Sequence, residues 1–330
     1  MNLPKDDNLN TSLVAGKDYP RTYREFVTMF PDNESCTDFL YKLRWDNGFI
    51  CSKCGAYSTP WHQTHKRLVC PYCRHQTTVT AGTIFDRTRT PLTTWLEAAW
   101  HVTTAKNGLS ATTIEQTLGI SYRVAWTMLQ RFRVAMVRSE REMLSGVVEV
   151  DEALVGGVDR GGKRGRGSQK SIVVIAIEVH ESKDFGRVRI RYIPDASSKS
   201  LTDFINDVVQ LGSTIRTDGW SGYTGLKSLG FNHEVTVVST SEDQAHVSMP
   251  GVHQVAALLK RWILGTHQGS ISEEHLQSYL EEYTFRFNRR KSNNRGLIFR
   301  RLLEQAVCTH PVTDFDVTNG YDWDNMDKRS

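Results

Sequence analysis

The 330-residue sequence predicts a mixed α/β chain in three successive parts: a small cysteine-paired module, a helical module, and a sheet domain flanked by helices. Three observations predict it. Two Cys-x2-Cys pairs stand fifteen residues apart, at 51–54 and 70–73. From Leu92 apolar side chains recur at spacings of three and four. From Val147 the texture changes to short apolar or alternating runs, interrupted by one amphipathic segment.

The bulk properties exclude some classes. No apolar run reaches the roughly 18–20 residues that a bilayer span requires. The opening "MNLPKDDNLNTSLVAGKDYP" lacks the basic-then-apolar layout of a secretory signal. A soluble intracellular protein is expected. The net charge of +4 is mild, but basic residues gather in "DRGGKRGRGSQK" (159–170) and "FRFNRRKSNNRG" (285–296), while the stretch after Pro311 is acidic. Such blocks are either solvated surface or contacts for a polyanion.

Residues 1–16 are expected to be a poorly ordered tail, followed by an N-terminal region over 17–82. Within it, Cys51, Cys54, Cys70 and Cys73 have the spacing of two knuckles that give four thiolates to one tetrahedral zinc ion. Residues 46–82 are therefore read as a zinc ribbon with a hairpin arm between the pairs. A pair of disulfides would conflict with a reducing compartment. His62, His65 and His75 are assigned to the surface, and the unpaired Cys36 and Cys308 to the core.

Residues 83–145 form the helical module. Trp95, Ala99 and Val102 mark one helix; Ser110 caps a second, which Gly119 breaks; Ser121 starts a third, with Ala125, Met128, Leu129 and Phe132 on one stripe. A short helix, a glycine turn and a longer helix fit a helix-turn-helix. Tyr122, Arg123, Thr127, Gln130 and Arg131 then fall on the opposite face, where they are expected to contact DNA; a plain helical spacer is the alternative.

Residues 146–310 read as the sheet domain. "VVEVDEALV" is a strand, "SIVVIAIEV" a strand buried on both faces, and "RVRIRYIP" a strand with one exposed face. "SKSLTDFINDVVQLG" is an amphipathic helix, "STIRTDGWSGY" holds a strand ending at Asp218, and "HEVTVVS" a further strand. Helices follow from about His253 and again from Ser272, the latter with a capping pattern of Ser270 and Glu273. Three consecutive strands, a helix, a strand and later helices is the order of the RNase H-like fold. In it, Asp151 lies on the first, central strand and Asp218 at the end of the neighbouring fourth.

Two convergent carboxylates are costly to bury without a cation, and Mg2+ or Mn2+ suits all-oxygen ligands. Such a site activates water or a 3′-hydroxyl against a phosphodiester. Taken singly, Asp151 also fits a strand-end aspartate, and Asp218-Gly219 a turn.

The stretches "FICSKCG", "LVCPYCRHQTTVTAGTIF", "VVEVDEALVGG", "IRTDGWSGY", "LLKRWILGTHQG" and "HLQSYLEEYTFRFNRR" together resemble bacterial insertion-sequence transposases of the ISXO-like group. The resemblance spans roughly residues 20–305. It implies an N-terminal zinc ribbon joined to a DDE-type RNase H-like domain, with DNA strand cleavage and transfer at the element's ends. It also implies terminal inverted repeats and target DNA as partners, a homodimer or higher assembly at synapsis, and a cytoplasmic, nucleoid-associated location.

In that family a third acidic residue stands 35 positions after the second aspartate and seven before a lysine. Here those positions are His253 and Lys260, so the resemblance implies a DDH variant with Asp151, Asp218 and His253 at the metal. Neutral imidazole binds a divalent ion with less charge compensation than glutamate and tilts preference toward Mn2+. His253 as a helix-start residue without a metal contact is the alternative, and Glu242 or Asp243 could then supply the acid. Lys260, nearly two turns on, would hold phosphate beside the metals. Further phosphate contacts are assigned to Arg164, Arg166, Arg261, Arg289 and Arg290. Residues 311–330 are read as an acidic tail. The rival functions are a zinc-ribbon regulator that has lost catalysis, and a nuclease that cuts without joining.

Overall fold

Short capped helices open the chain in the computed structural model, which describes residues 13–63, 67–138, 140–156, 170–180, 184–236, 249–269 and 271–323. In chain order, α1 (Tyr23–Met29) and α2 (Asn33–Arg44) precede β1 (Trp61–Gln63), β2 (Arg67–Val69) and β3 (Gln76–Thr77). Next come α3 (Leu92–Thr104), α4 (Ala111–Leu118) and α5 (Tyr122–Ala135). The sheet domain carries β4 (Val147–Val155), β5 (Ser171–Val179), β6 (Phe185–Ile193), α6 (Ser198–Val208), β7 (Thr214–Thr217) and β8 (Asn232–Val235). The chain ends in α7 (Pro250–His267), α8 (Glu273–Asn288), α9 (Arg295–Ala306) and α10 (Asp314–Asn319). No helix among the described residues is long and apolar enough to cross a membrane.

Two compact units result. The first runs to Ala135 and takes in Ser292–Asp314; the second is Met136–Lys291 with the residues from Phe315. Residues 292–310, which the sequence groups with the sheet domain, thus pack in the first unit. The reason is aromatic: Phe299 of α9 is fully buried and meets Phe26, Phe30, Phe39 and Trp100 at centroid distances of 5.7–6.3 Å. Gly296 admits this approach, because a Cβ there would fall 1.6 Å from the Pro20 carbonyl oxygen. Residues 312–321 are also packed, with Val312, Val317 and Tyr321 buried, so the acidic tail is structured at its start.

In the first unit β1, β2 and β3 make an antiparallel sheet in that order. The three helices lie where the spacing of apolar and capping residues places them. Ser110 accepts the Thr113 N–H at 3.1 Å, Gly119 closes α4 in the left-handed region (φ 63°), and Ala125, Met128, Leu129 and Phe132 are buried. Cys36 is fully buried, whereas Cys308 lies at the surface rather than in the core.

In the second unit the sheet order is β6-β5-β4-β7-β8. β4, β5 and β6 are antiparallel neighbours, while β7 and β8 run parallel to β4. This central first strand, with helices on both faces, is the RNase H-like topology. Both faces are covered, which explains the uninterrupted apolar run of β5. Val173, Ile175 and Ile177 pack under α7 and α8, and Val174 and Ala176 under α6. β4 obeys the same alternation: Val148 and Val150 face α6, and Ala153 and Val155 face α7 and α8. The cap of α8 is Ser272, not Ser270, which lies outside the described residues.

Candidate active site and zinc centre

Cys51, Cys54, Cys70 and Cys73 bring their sulfurs within 4.8 Å of one another. A tetrahedral S4 zinc site with bonds of about 2.3 Å has sulfur–sulfur edges of about 3.8 Å. The Cys51–Cys73 and Cys54–Cys70 separations, 3.6 and 3.7 Å, match it. The two knuckles are built alike. In each, the amide four residues on returns to the first cysteine's carbonyl, Gly55 to Cys51 at 2.9 Å and Arg74 to Cys70 at 3.0 Å. Gly55 and Arg74 hold the same left-handed turn, at φ 69° and 59°. The four thiols form a structural zinc site. His62 is exposed and His75 half-buried, and neither joins the cluster; His65 lies outside the described residues.

On the sheet, β4 and β7 pair in parallel with a constant offset: Val147 with Thr214, Val148 with Ile215, Glu149 with Arg216. Carried two steps further, that offset sets Asp218 level with Asp151. Both line one cleft of about 210 Å³, together with Glu152, Ala153, Leu154, Ile172 and Ala196. Each carboxylate is oriented by a backbone amide. Asp151 Oδ1 accepts the Glu152 N–H at 2.8 Å, and Asp218 Oδ1 the Trp220 N–H at 3.0 Å.

His253 stands in the first turn of α7, its Nδ1 3.9 Å from Asp151 Oδ2. That is beyond a direct hydrogen bond. Only the four thiols, among the described residues, bring three or more ligand atoms within 4.8 Å. Asp151, Asp218 and His253 do not reach that spacing together; the 3.9 Å between His253 Nδ1 and Asp151 Oδ2 is within the span of one ion with bonds of about 2.1 Å, and carboxylate and imidazole donors suit Mg2+ or Mn2+.

Three residues at this site escaped the sequence reading. Glu149, 1% exposed, accepts the N–H groups of Gly251 and Val252 at 2.8 and 3.0 Å through one oxygen. Burial pushes its carboxyl up, opposed by those two amides. Gly251 is the second, since a Cβ there would sit 2.9 Å from that carboxylate. The third is Tyr223, whose hydroxyl is fully buried; burial, and then the charges of Glu152, Asp151 and Asp218, push it well above 10. The strand's two-residue period was the available signal for Glu149, which shares a face with Asp151.

The expected DNA contacts divide. Tyr122 and Arg123 are exposed at the start of α5, Thr127 is half-buried one turn on, and Lys260 and Arg261 are exposed on α7. Arg131 is turned inward instead: its side chain is 14% exposed and it donates to the Ile84 carbonyl at 3.4 Å, because the stripe that buries Phe132 draws its neighbour in. Gln130 is buried as well. Arg289 lies 3.9 Å over the Phe285 ring, and Arg290 lies 4.0 Å over Phe287 while donating to the carbonyls of Gly186 and Phe185. Arg289 also donates to the Phe285 carbonyl at 3.3 Å, so both guanidinium groups bond to the domain's own backbone. Arg164, Arg166, Glu242 and Asp243 lie outside the described residues.

Two parts of the chain match known protein families. Residues 143–288 match the ISXO2-like transposase domain, and residues 31–76 match the transposase zinc-ribbon domain. An uncharacterized protein in transposable element ISH50 of Halobacterium salinarum is 26% identical over 278 residues, covering 79% of this chain and 92% of the relative. Among solved structures, the catalytic core of BIV integrase is 17% identical over 46% of this chain and 88% of its own, with a TM-score of 0.31. The Mos1 transposase paired-end complex with left transposon end is 10% identical over 61% of this chain and 72% of its own, with a TM-score of 0.29. The fold assignment rests on the strand order rather than on these superpositions. With both domain models matched in chain order, the chain carries a transposase zinc-ribbon domain ahead of an ISXO2-like transposase domain.

Proposed function

We propose that this transposase binds the terminal inverted repeats of its own element, cuts DNA strands by metal-dependent hydrolysis, and joins the freed 3′-hydroxyl to target DNA. The observation that carries this reading is the shared cleft of Asp151 and Asp218, level with each other on neighbouring parallel strands. Asp151 and Asp218 would hold Mg2+ or Mn2+, with His253 as the third ligand. Bound there, the ion would activate the attacking oxygen and neutralise charge developing on the phosphodiester.

The protein's own groups do the rest. The amides of Glu152 and Trp220 fix the two carboxylates for their task. Lys260 and Arg261, exposed on the helix that begins beside the cleft, take the phosphates of the bound strand. Tyr122, Arg123 and Thr127 read the element's end, and Arg164 and Arg166 add phosphate contacts. The active form is a dimer or larger, because synapsis joins two ends, and it works on chromosomal DNA in the cytoplasm.

A strand-transfer assay on end-containing DNA with Mg2+ or Mn2+ tests this. Asp151→Asn and Asp218→Asn should each lower joining by at least about 100-fold, the scale of losing a metal-orienting group, while end binding stays intact. A non-acidic third residue also fits a DNA-binding regulator without catalysis. A wild type inert with both metals, yet bound to the ends, would establish that alternative; cutting without joining would identify a nuclease.

A further inference from the structure

Glu149 is a carboxylate inside the sheet domain, two residues before Asp151 on the central strand and therefore on the same face. We propose that Glu149 is a positioning residue: it seats the first turn of α7 and so holds the His253 ring at Asp151.

A helix leaves its first N–H groups without intrahelical partners. At the start of α7 the capping residue, Met249, makes no side-chain bond to them, and Pro250 has no N–H to offer. The next two amides, of Gly251 and Val252, both go to Glu149 Oε2. His253 follows immediately, with its Nδ1 3.9 Å from Asp151 Oδ2. Strand and helix are thus pinned by Glu149 one register step from the point where their functional side chains face each other.

The close fit needs glycine. A Cβ on residue 251 would fall 2.9 Å from Glu149 Oε2 and 2.9 Å from the Phe185 ring. A serine or aspartate at the capping position would satisfy the same amides on the protein surface, without burying a carboxyl group. Capping from the strand that bears Asp151 does something a local cap cannot: it fixes the helix start relative to the metal-binding strand.

The proposal rests on the reading of His253 as a metal ligand, and the test separates the two. Mn2+ bound to the full-length chain is examined by pulsed electron paramagnetic resonance for coupling to an imidazole nitrogen. Wild type should show it and His253→Ala should not. Glu149→Gln keeps an oxygen that can accept both amides and should retain the coupling. Glu149→Leu should lose it and weaken Mn2+ binding roughly 10-fold, the low end of outer-shell effects. If Glu149→Leu fails to fold, Gly251→Ala makes the same test by pushing the helix start off the carboxylate.

Coupling and affinity unchanged in both Glu149→Leu and Gly251→Ala would overturn the proposal. A wild type without coupling would refute the ligand reading alone. In that case hydrogen exchange at the Gly251 and Val252 amides decides the seat of α7. Exchange faster in Glu149→Leu than in Glu149→Gln supports it, and equal exchange overturns it.

Discussion

Glu178 of β5 is 5% exposed, and Arg187 across the hairpin answers it. The Arg187 guanidinium donates to Oε1 at 2.8 Å, its backbone N–H to Oε2 at 2.8 Å, and the Ser145 amide to Oε1 at 3.1 Å. Burial pushes the Glu178 carboxyl up, but the Arg187 donors and the Ser145 amide outweigh it and hold the group below its ordinary 4.5. A carboxyl depressed on folding stabilises fully above the unfolded value, and that contribution disappears as pH falls through the lower folded value. Glu178→Gln should therefore cost about 1–3 kcal/mol at pH 7. The gap from wild type should narrow as pH drops below about 4.5, a trend that denaturant melts across pH 2.5–7 would reveal. At this scale the sequence was legible where chemistry marked the residue. Asp151 and Asp218 interrupt apolar strands ahead of glycines, and the four cysteines keep a metal spacing. Glu149 carries no such mark, because the amides it accepts lie 102 and 103 residues on in sequence; Glu178 carries none because its pairing with Arg187, nine residues on, depends on the β5–β6 register.

The elements were legible wherever one periodicity governed them. β4 and β5 match the runs read from sequence residue for residue, since both faces of the sheet are covered and apolar residues on each strand serve both faces. The α4–α5 pair followed from Ser110, Gly119 and one apolar stripe. What periodicity left open was the width of that stripe. Gln130 and Arg131 sit on its margin, and the packing of Phe132 carried both inward. Two arginines of one helix should then behave differently. Arg123, exposed in the first turn, should contact phosphate. Arg123→Ala should weaken binding to end-containing DNA and lower the slope of log affinity against log salt by about one. Arg131→Ala should leave that slope unchanged and cost about 1–2 kcal/mol of stability, through the lost bond to Ile84 and lost packing of its aliphatic stem. Salt titrations and thermal melts of the two variants measure both quantities. Equal salt slopes for wild type and Arg123→Ala would remove α5 from the DNA interface.

Across the whole chain, sequence order and packing order differ in the last third. Residues 292–314 leave the sheet domain and complete the first unit, because Phe299 has its aromatic partners there. No local pattern announces this, since an amphipathic helix does not name the surface it covers. The same unit holds the four-thiol zinc site. Its ribbon lies between α2 and α3, and Arg44 of α2 donates to the Thr78 and Val79 carbonyls just beyond the second knuckle, at 3.1 and 2.8 Å. The following residues carry Ile84 and Phe85 into the interior, where Phe85 meets Trp95 edge-on at 5.2 Å and Trp95 meets Phe132 at 5.4 Å. Zinc holding the ribbon therefore also holds the segment that fills the space between α3 and α5. Structural zinc is worth on the order of 10–16 kcal/mol in small finger peptides, more than a typical domain's net stability. Chelation, or Cys70→Ser, should thus release more than the knuckles. Hydrogen exchange should quicken at β1–β3 and, with it, at the amides of α3 and α5. Exchange confined to the ribbon would mean that Ile84 and Phe85 keep their places without it, and that the helices stand independently of the metal.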